Sequence, residues 1–234
     1  MNQERGDEAM NLARYAALVR VLHAALLALL VLSPLDPSSA HADTGDARLY
    51  LDLSGNLLSD SRAPITLRPM LRSEQRFARG GLTFLKISTG LRMDIRPWLR
   101  LQSYYAHIDQ VSANHHDLHM GVFDVILRHR FDWLGTQVRV GNEWHATNDF
   151  YRLRLLACLH FDVGLSWLRP YVSDEVRFDS DQARLNMQES VAGLDFKVSS
   201  TLRMKLFYNL IMTHRGHPGW HRNHTVGIVF GERL

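Results

Sequence analysis

Histidine, cysteine and arginine are the side chains whose spacing here invites chemistry. Histidine gathers twice, as His115-His116 with His119 and as His214, His217, His221 and His224. Clustered imidazoles can hold zinc or copper. Neither group brings the acidic or thiolate partners of a built metal site, so exposed imidazoles are the plainer expectation and no metal ligand is assigned. His145 with Asn148, and His107 with Ser112, are of the types a lipid hydrolase uses as a base and a polar partner. Neither has a recognised hydrolase spacing, so no catalytic residue is assigned. Cys158 shows no activating partner in the sequence and reads as a small filler. A glycine-rich phosphate loop, a CxxC pair and an HExxH are all absent, and no cofactor is expected.

Arginine gives the stronger signal, because it recurs at alternate positions. Arg72, Arg128, Arg130, Arg139, Arg152, Arg154, Arg177 and Arg203, with Glu143 and Glu175, fall on the polar parity of a period-two pattern. A guanidinium fork binds carboxylate or phosphate through two parallel hydrogen bonds. By parity, sixteen Arg or Lys face five acids: Asp52, Glu74, Asp124, Glu143 and Glu175. Five acids cannot pair sixteen bases one to one. The surplus predicts a positively lined interior that favours small anions. Two other uses stay open: an ion-pair ladder that plugs the interior, and contact with lipopolysaccharide phosphates at an outer rim.

The elements that must position these residues are strands. "HRFDWLGTQVRVGNEWH" alternates Gln137, Arg139, Glu143 and His145 with Val138, Val140 and Trp144. Such alternation is a strand with one polar and one apolar face. Counting this strand as 135–146, similar segments at 47–56, 65–77, 83–94, 98–108, 118–131, 149–161, 169–179, 183–198, 201–213 and 222–232 bring the raw count to eleven, each bounded by a turn signal. They are long for a sandwich, where five or six residues is typical. The polar faces carry too many charges for a soluble core, because buried charges need partners or water. Asp174 and Glu189 fall on the apolar parity, Gln188 falls on the polar one, and a bulge near Ala192-Gly193 would repair the phase. The pattern predicts an all-β chain: a closed antiparallel transmembrane β-barrel of ten to twelve strands. Twelve is preferred, because bacterial single-chain barrels close with an even number. A soluble periplasmic sandwich is the competing fold.

Connections fall into two sets. Tight turns are expected at Asp94–Pro97, Asp132–Gly135, Val163–Ser166 and Ser199-Ser200, with longer polar loops at the other end. Trp98, Trp133 and Trp167 sit in or beside the tight turns, and Trp144 lies toward the other edge. At ~3.3 Å per residue and a tilt near ~40°, Trp133 and Trp144 would stand roughly 28 Å apart along the axis. That fits an aromatic girdle at each rim of a band about 25 Å tall.

The N-terminus supplies an address. Arg14 and Arg20 precede an apolar run from Val21 to Leu32, and Ala40-His41-Ala42 places small residues at a cleavage position. Residues 1–42 read as a removed signal peptide and 43–234 as the barrel domain. The run is too short to span as a helix, which needs roughly 20 residues. Acidic residues before Met10 leave Met1 or Met10 as the start. Export and strand-distributed charge exclude a nucleic-acid partner.

"YRLRLLACL", "RPYVSDEVRF" and "GLDFKVSSTLRMKLFYN" together resemble an uncharacterised family of bacterial outer-membrane β-barrels. Arg152, Arg154, Pro170, Tyr171 and Glu175 carry the likeness. The resemblance implies a barrel in the bacterial outer membrane, and no substrate or catalytic residue to carry over. Such barrels end on an aromatic residue, whereas here Phe230 is followed by Gly-Glu-Arg-Leu. The expected partners are membrane lipid, lipopolysaccharide, the barrel-assembly machinery and small anionic solutes. The leading expectation is a narrow channel or binding barrel for small anionic or acidic-saccharide solutes. A lipid-modifying hydrolase and a plugged structural barrel are the alternatives.

Overall fold

The computed structural model describes residues 46–55, 58–59, 65–78, 81–111, 116–181, 184–214 and 220–233. The expected signal peptide and both candidate start residues lie outside these, as do Ser112, His115 and His217.

Within the described residues the chain is all strand and turn. The strands are β1 (Asp46–Ser54), β2 (Leu58–Ser59), β3 (Thr66–Ala78), β4 (Gly81–Arg96), β5 (Leu99–Gln110), β6 (His116–Arg130), β7 (Leu134–His145), β8 (Phe150–Phe161), β9 (Leu168–Asp179), β10 (Arg184–Lys197), β11 (Leu202–Thr213) and β12 (His221–Arg233). From β3 to β12 each strand pairs antiparallel with the next. β1 closes the ring, antiparallel to β3 on one side and parallel to β12 on the other. The two-residue β2 continues along the edge of β3 that β1 uses.

The result is a closed barrel of eleven strands. The preference for twelve antiparallel strands is therefore corrected. An odd ring must contain one parallel seam, and here Asp46 to Ser54 run beside Thr225 to Arg233. The seam puts the first and last described strand residues, Asp46 and Arg233, at opposite ends of the barrel. β1 begins at the loop end, and β12 finishes at the tight-turn end. Phe230 lies inside the β12 ladder, paired with Leu51 and Met204.

Local chemistry fixes the tight turns. Gly164 adopts φ +79°, a conformation that disfavours other residues. Its amide donates to the Asp162 carboxylate at 3.1 Å. Ser199 Oγ accepts the amides of Thr201 and Leu202 at 3.2 and 3.0 Å. The carbonyls of Trp98, Trp133 and Trp167 accept the amides of Arg128, Asp162 and Lys197, each at 2.8 Å. Each tryptophan thus ties its turn to the neighbouring hairpin through its backbone, while its ring stays about half exposed on the outside.

The two faces differ as the alternation requires. Leu51, Leu71, Leu91, Phe123, Val138, Val140, Leu153, Val226 and Ile228 form an exposed apolar outer surface. Trp144, Tyr105, Tyr151 and Tyr208 are exposed on it toward the loop end. Inside, bulk is fitted locally. A Cβ on Gly227 would stand 2.1 Å from the ring of Phe207, so a larger residue here would have to displace that ring.

The parallel seam has a direct chemical test. Cysteines replacing Leu49 and Ile228, in a Cys158→Ser background, are expected to cross-link on mild oxidation because these residues are ladder partners. A pair replacing Leu53 and Ile228 is out of register and should stay reduced. Cross-linking of the second pair but not the first contradicts the seam.

Candidate binding cavity in the lumen

The inward face is built around an arginine held between two glutamates. Arg154 on β8 is buried, with Nη1 2.5 Å from Glu143 Oε1 and Nη2 3.0 Å from Glu175 Oε2. Glu143 comes from β7 and Glu175 from β9, so the trio crosses three adjacent strands. Arg139 also reaches Glu175. Arg177 joins Glu175 at 2.6 Å to Glu189 of β10 at 2.8 Å. Arg48 carries the chain to β1, 3.1 Å from Glu189. Arg152 binds Asp179 through both Nε and Nη2, at 2.5 and 3.0 Å. Each shared carboxylate accepts charged donors that water no longer serves, which is the condition for keeping such charges buried.

Most of the predicted lumen residues thus meet in one network, and others pair nearby. Arg72 lies 3.0 Å from Asp52, Arg128 3.1 Å from Asp94, and Arg203 2.8 Å from Asp195. Arg130 does not belong to the lumen. Its side chain is 70% exposed beyond the tight-turn end and pairs with Asp162 at 3.3 Å.

The expected charge imbalance is too large. Asp94, Asp179, Glu189 and Asp195 all bind inward arginines and were missed by parity counting. A register shift between Leu185 and Met187 turns Glu189 inward and Gln188 outward. The bulge therefore lies earlier in β10 than Ala192-Gly193. On the outer face Gln188 and Ser190 both donate to Asp174, at 3.2 and 2.6 Å. That satisfies Asp174, which the corrected register leaves on the outward parity.

The other candidate groups separate. His145 is buried inside, stacked on Phe150 at 4.3 Å and 3.3 Å from Glu143. His107 stands outside, beside His119 at 5.2 Å and 3.6 Å from Asp117. His119 and His224 bond Tyr105 and Tyr208 respectively. His214 meets the edge of Trp220, and His221 lines the lumen. Among the described residues, no three of these side chains converge as a metal site would need. Cys158 does have a neighbour that the sequence reading overlooked. His160, two residues on along the same face, places Nε2 3.3 Å from its Sγ.

Above this network the lumen opens into a cavity of about 900 Å³ that reaches the loop end. One wall is charged: Arg48, Arg72, Glu74, Arg139, Arg152 and Arg177. Between β3 and β7 the wall from β4 to β6 is largely apolar, a feature absent from the sequence reading. Phe84, Tyr104, Ile108, Leu118 and Met120 line it, packed with buried Ala106 and Val122. Parity names a face but not its chemistry, and β5 and β6 put apolar residues on the inward side. Arginines cap three of the aromatic rings: Arg76 over Phe84 at 4.2 Å, Arg152 over Phe150 at 5.4 Å and Arg72 over Tyr104 at 6.0 Å.

A comparison with known proteins finds no matching family and no matching curated protein. The functional reading rests on geometry.

Removing Arg154 tests the network. Arg154→Met is expected to lower unfolding stability by about 3–5 kcal/mol, because it leaves two buried carboxylates without their shared cation. Adding Glu143→Gln and Glu175→Gln should recover a large part of that loss. Urea unfolding in detergent micelles reads both, and no recovery would contradict the pairing.

Proposed function

We propose that this chain is a bacterial outer-membrane β-barrel that binds, or passes slowly, small acidic solutes through a lumen entered from the loop end. One observation carries the reading: leucine, valine and phenylalanine cover the outside of a closed sheet, while arginines and acids fill the inside. Lipid satisfies the first surface and enclosed water the second. Eleven strands fall between the eight of ligand-holding barrels and the sixteen or more of open porins. A bound-solute cavity or narrow passage suits that size. The exposed rings of Trp98, Trp133 and Trp167 at one end, with Trp144 at the other, suit two membrane interfaces. On this reading the partners are membrane lipid, lipopolysaccharide, the assembly machinery that inserts barrels, and the solute.

Pairing of the arginines narrows the mechanism. A guanidinium held by two carboxylates offers little to a passing anion, so selectivity falls to whichever cations stay unpaired. For the hydrolase alternative, His145 hydrogen-bonds Glu143 and His107 stands 3.6 Å from Asp117, while Ser112 lies outside the described residues.

Two measurements test this. The folded protein should run faster on a gel unheated than boiled, and should need detergent to stay dispersed. In planar bilayers it should give small currents that favour anions. A folded, detergent-free protein in plain buffer contradicts the membrane reading. A barrel that inserts but passes no current and binds no anion leaves only the structural role.

A further inference from the structure

Lys86 is the odd cation of the cavity. It lies on β4 and lines the cavity wall. Its ladder partners are Glu74 on β3 and Ile108 on β5. Glu74 is already taken: Arg76 Nε is 2.8 Å away, the Tyr50 hydroxyl donates to it at 3.1 Å, and Arg48 is 3.9 Å away. Among the described residues, no carboxylate comes within 4.0 Å of the Lys86 ammonium, and it makes no hydrogen bond. The arginines named above that line the cavity all have carboxylate partners. Glu74 and Glu143 interact with Lys86 only from beyond that distance, so its ammonium keeps its hydrogen bonds for something from outside.

Its surroundings say what that is. Phe84 lies two residues along the same face, and Ile108 lies across the ladder. Ile108 pairs with Leu118 on β6, and Ala106 with Met120. These side chains offer no hydrogen bond. A sugar laid against them would leave its hydroxyls desolvated and unpaired, which opposes binding. An apolar group laid there is favoured by its removal from water. A single free ammonium matches a single negative charge. Glu74 on the adjacent β3 and Glu143 on β7 already interact with the Lys86 charge, and their negative charge disfavours a second one. The volume of about 900 Å³ sits within the range of small-molecule sites.

We infer that the cavity takes a small monocarboxylate bearing a compact apolar group. Lys86 receives the carboxylate, and the wall of Phe84, Ile108, Leu118 and Met120 receives the apolar part. This rests on the reading of the lumen as a solute site and refines it, moving the preferred solute from acidic saccharides to apolar acids. The fixed Arg–Glu network then serves as scaffold, holding Glu74 away from Lys86 through Arg76 and Tyr50.

Calorimetry on the folded full chain in detergent micelles decides it. The probes are benzoate, glucuronate, benzyl alcohol and inorganic phosphate. Benzoate is expected to bind at least tenfold more tightly than the other three. Lys86→Gln should weaken benzoate at least tenfold and leave benzyl alcohol unchanged, while Lys86→Arg should retain benzoate. Arg130→Gln, outside the lumen, should change nothing. Heat-modifiable mobility verifies that each variant folds. If Lys86→Gln does not fold, Leu118→Thr serves instead and should shrink the preference for benzoate over glucuronate. Glucuronate or phosphate binding as tightly as benzoate overturns the inference and leaves the acidic-solute reading standing. Unchanged benzoate binding in folded Lys86→Gln overturns it too. No binding of any anion removes both.

Discussion

A sheet whose outer face is apolar cannot leave an edge open. Unpaired amides and carbonyls cost several kcal/mol each in hydrocarbon, and in water they template aggregation. Closure is therefore the constraint on which everything else in this fold depends. Eleven strands can meet it only with one parallel seam, and β1 beside β12 supplies it. Closure also creates an interior. Once the ring is shut, each second side chain faces an enclosed volume, and the charges there must find one another.

They do so in shared clusters rather than isolated pairs. Glu175 serves Arg139, Arg154 and Arg177, and Glu189 serves Arg177 and Arg48. Breaking one such contact leaves a buried charge unmatched, so each member holds the others in place. Much of the lumen's positive charge is thereby matched. Selectivity then depends on what the network does not consume, and on the apolar wall that β4, β5 and β6 contribute beside it.

Much of this architecture was legible in the alternation. The reading of 135–146 and 201–213 as strands differs from the observed β7 and β11 by single residues at the ends. The raw count of eleven segments was also right. What displaced it was a rule about even strand numbers, which assumes that the closing pair is antiparallel. The identities of the pairing arginines were legible for the same reason, since period two names a face directly. Their partners were not. Glu189 sits on the wrong parity until a bulge after Leu185 is known, and a bulge leaves little trace in sequence. Asp94 and Asp179 stand at strand ends, where the limits of alternation are least certain. The apolar wall escaped notice because Ala106, Ile108, Met120 and Val122 share the parity of Gln102 and Asp124, while His107, Asp109, Asp117 and His119 take the outward parity, so the polar-in alternation reverses at this end of β5 and β6. The neighbour of Cys158 was in view as a Cys-x-His spacing, which on a strand puts both side chains on one face.

The partition of the two faces is tested most directly by spin labels on single cysteines along β7, from Thr136 to His145, in the protein reconstituted into lipid vesicles. Oxygen concentrates in lipid and a nickel chelate in water, so their relaxation effects report what each label touches. The account predicts a period-two profile, with labels at Val138, Val140 and Asn142 relaxed by oxygen and labels at Gln137, Arg139 and Glu143 shielded from it. A profile without alternation, or one in which the chelate reaches Val138 and Val140 as freely as a surface turn, would contradict it.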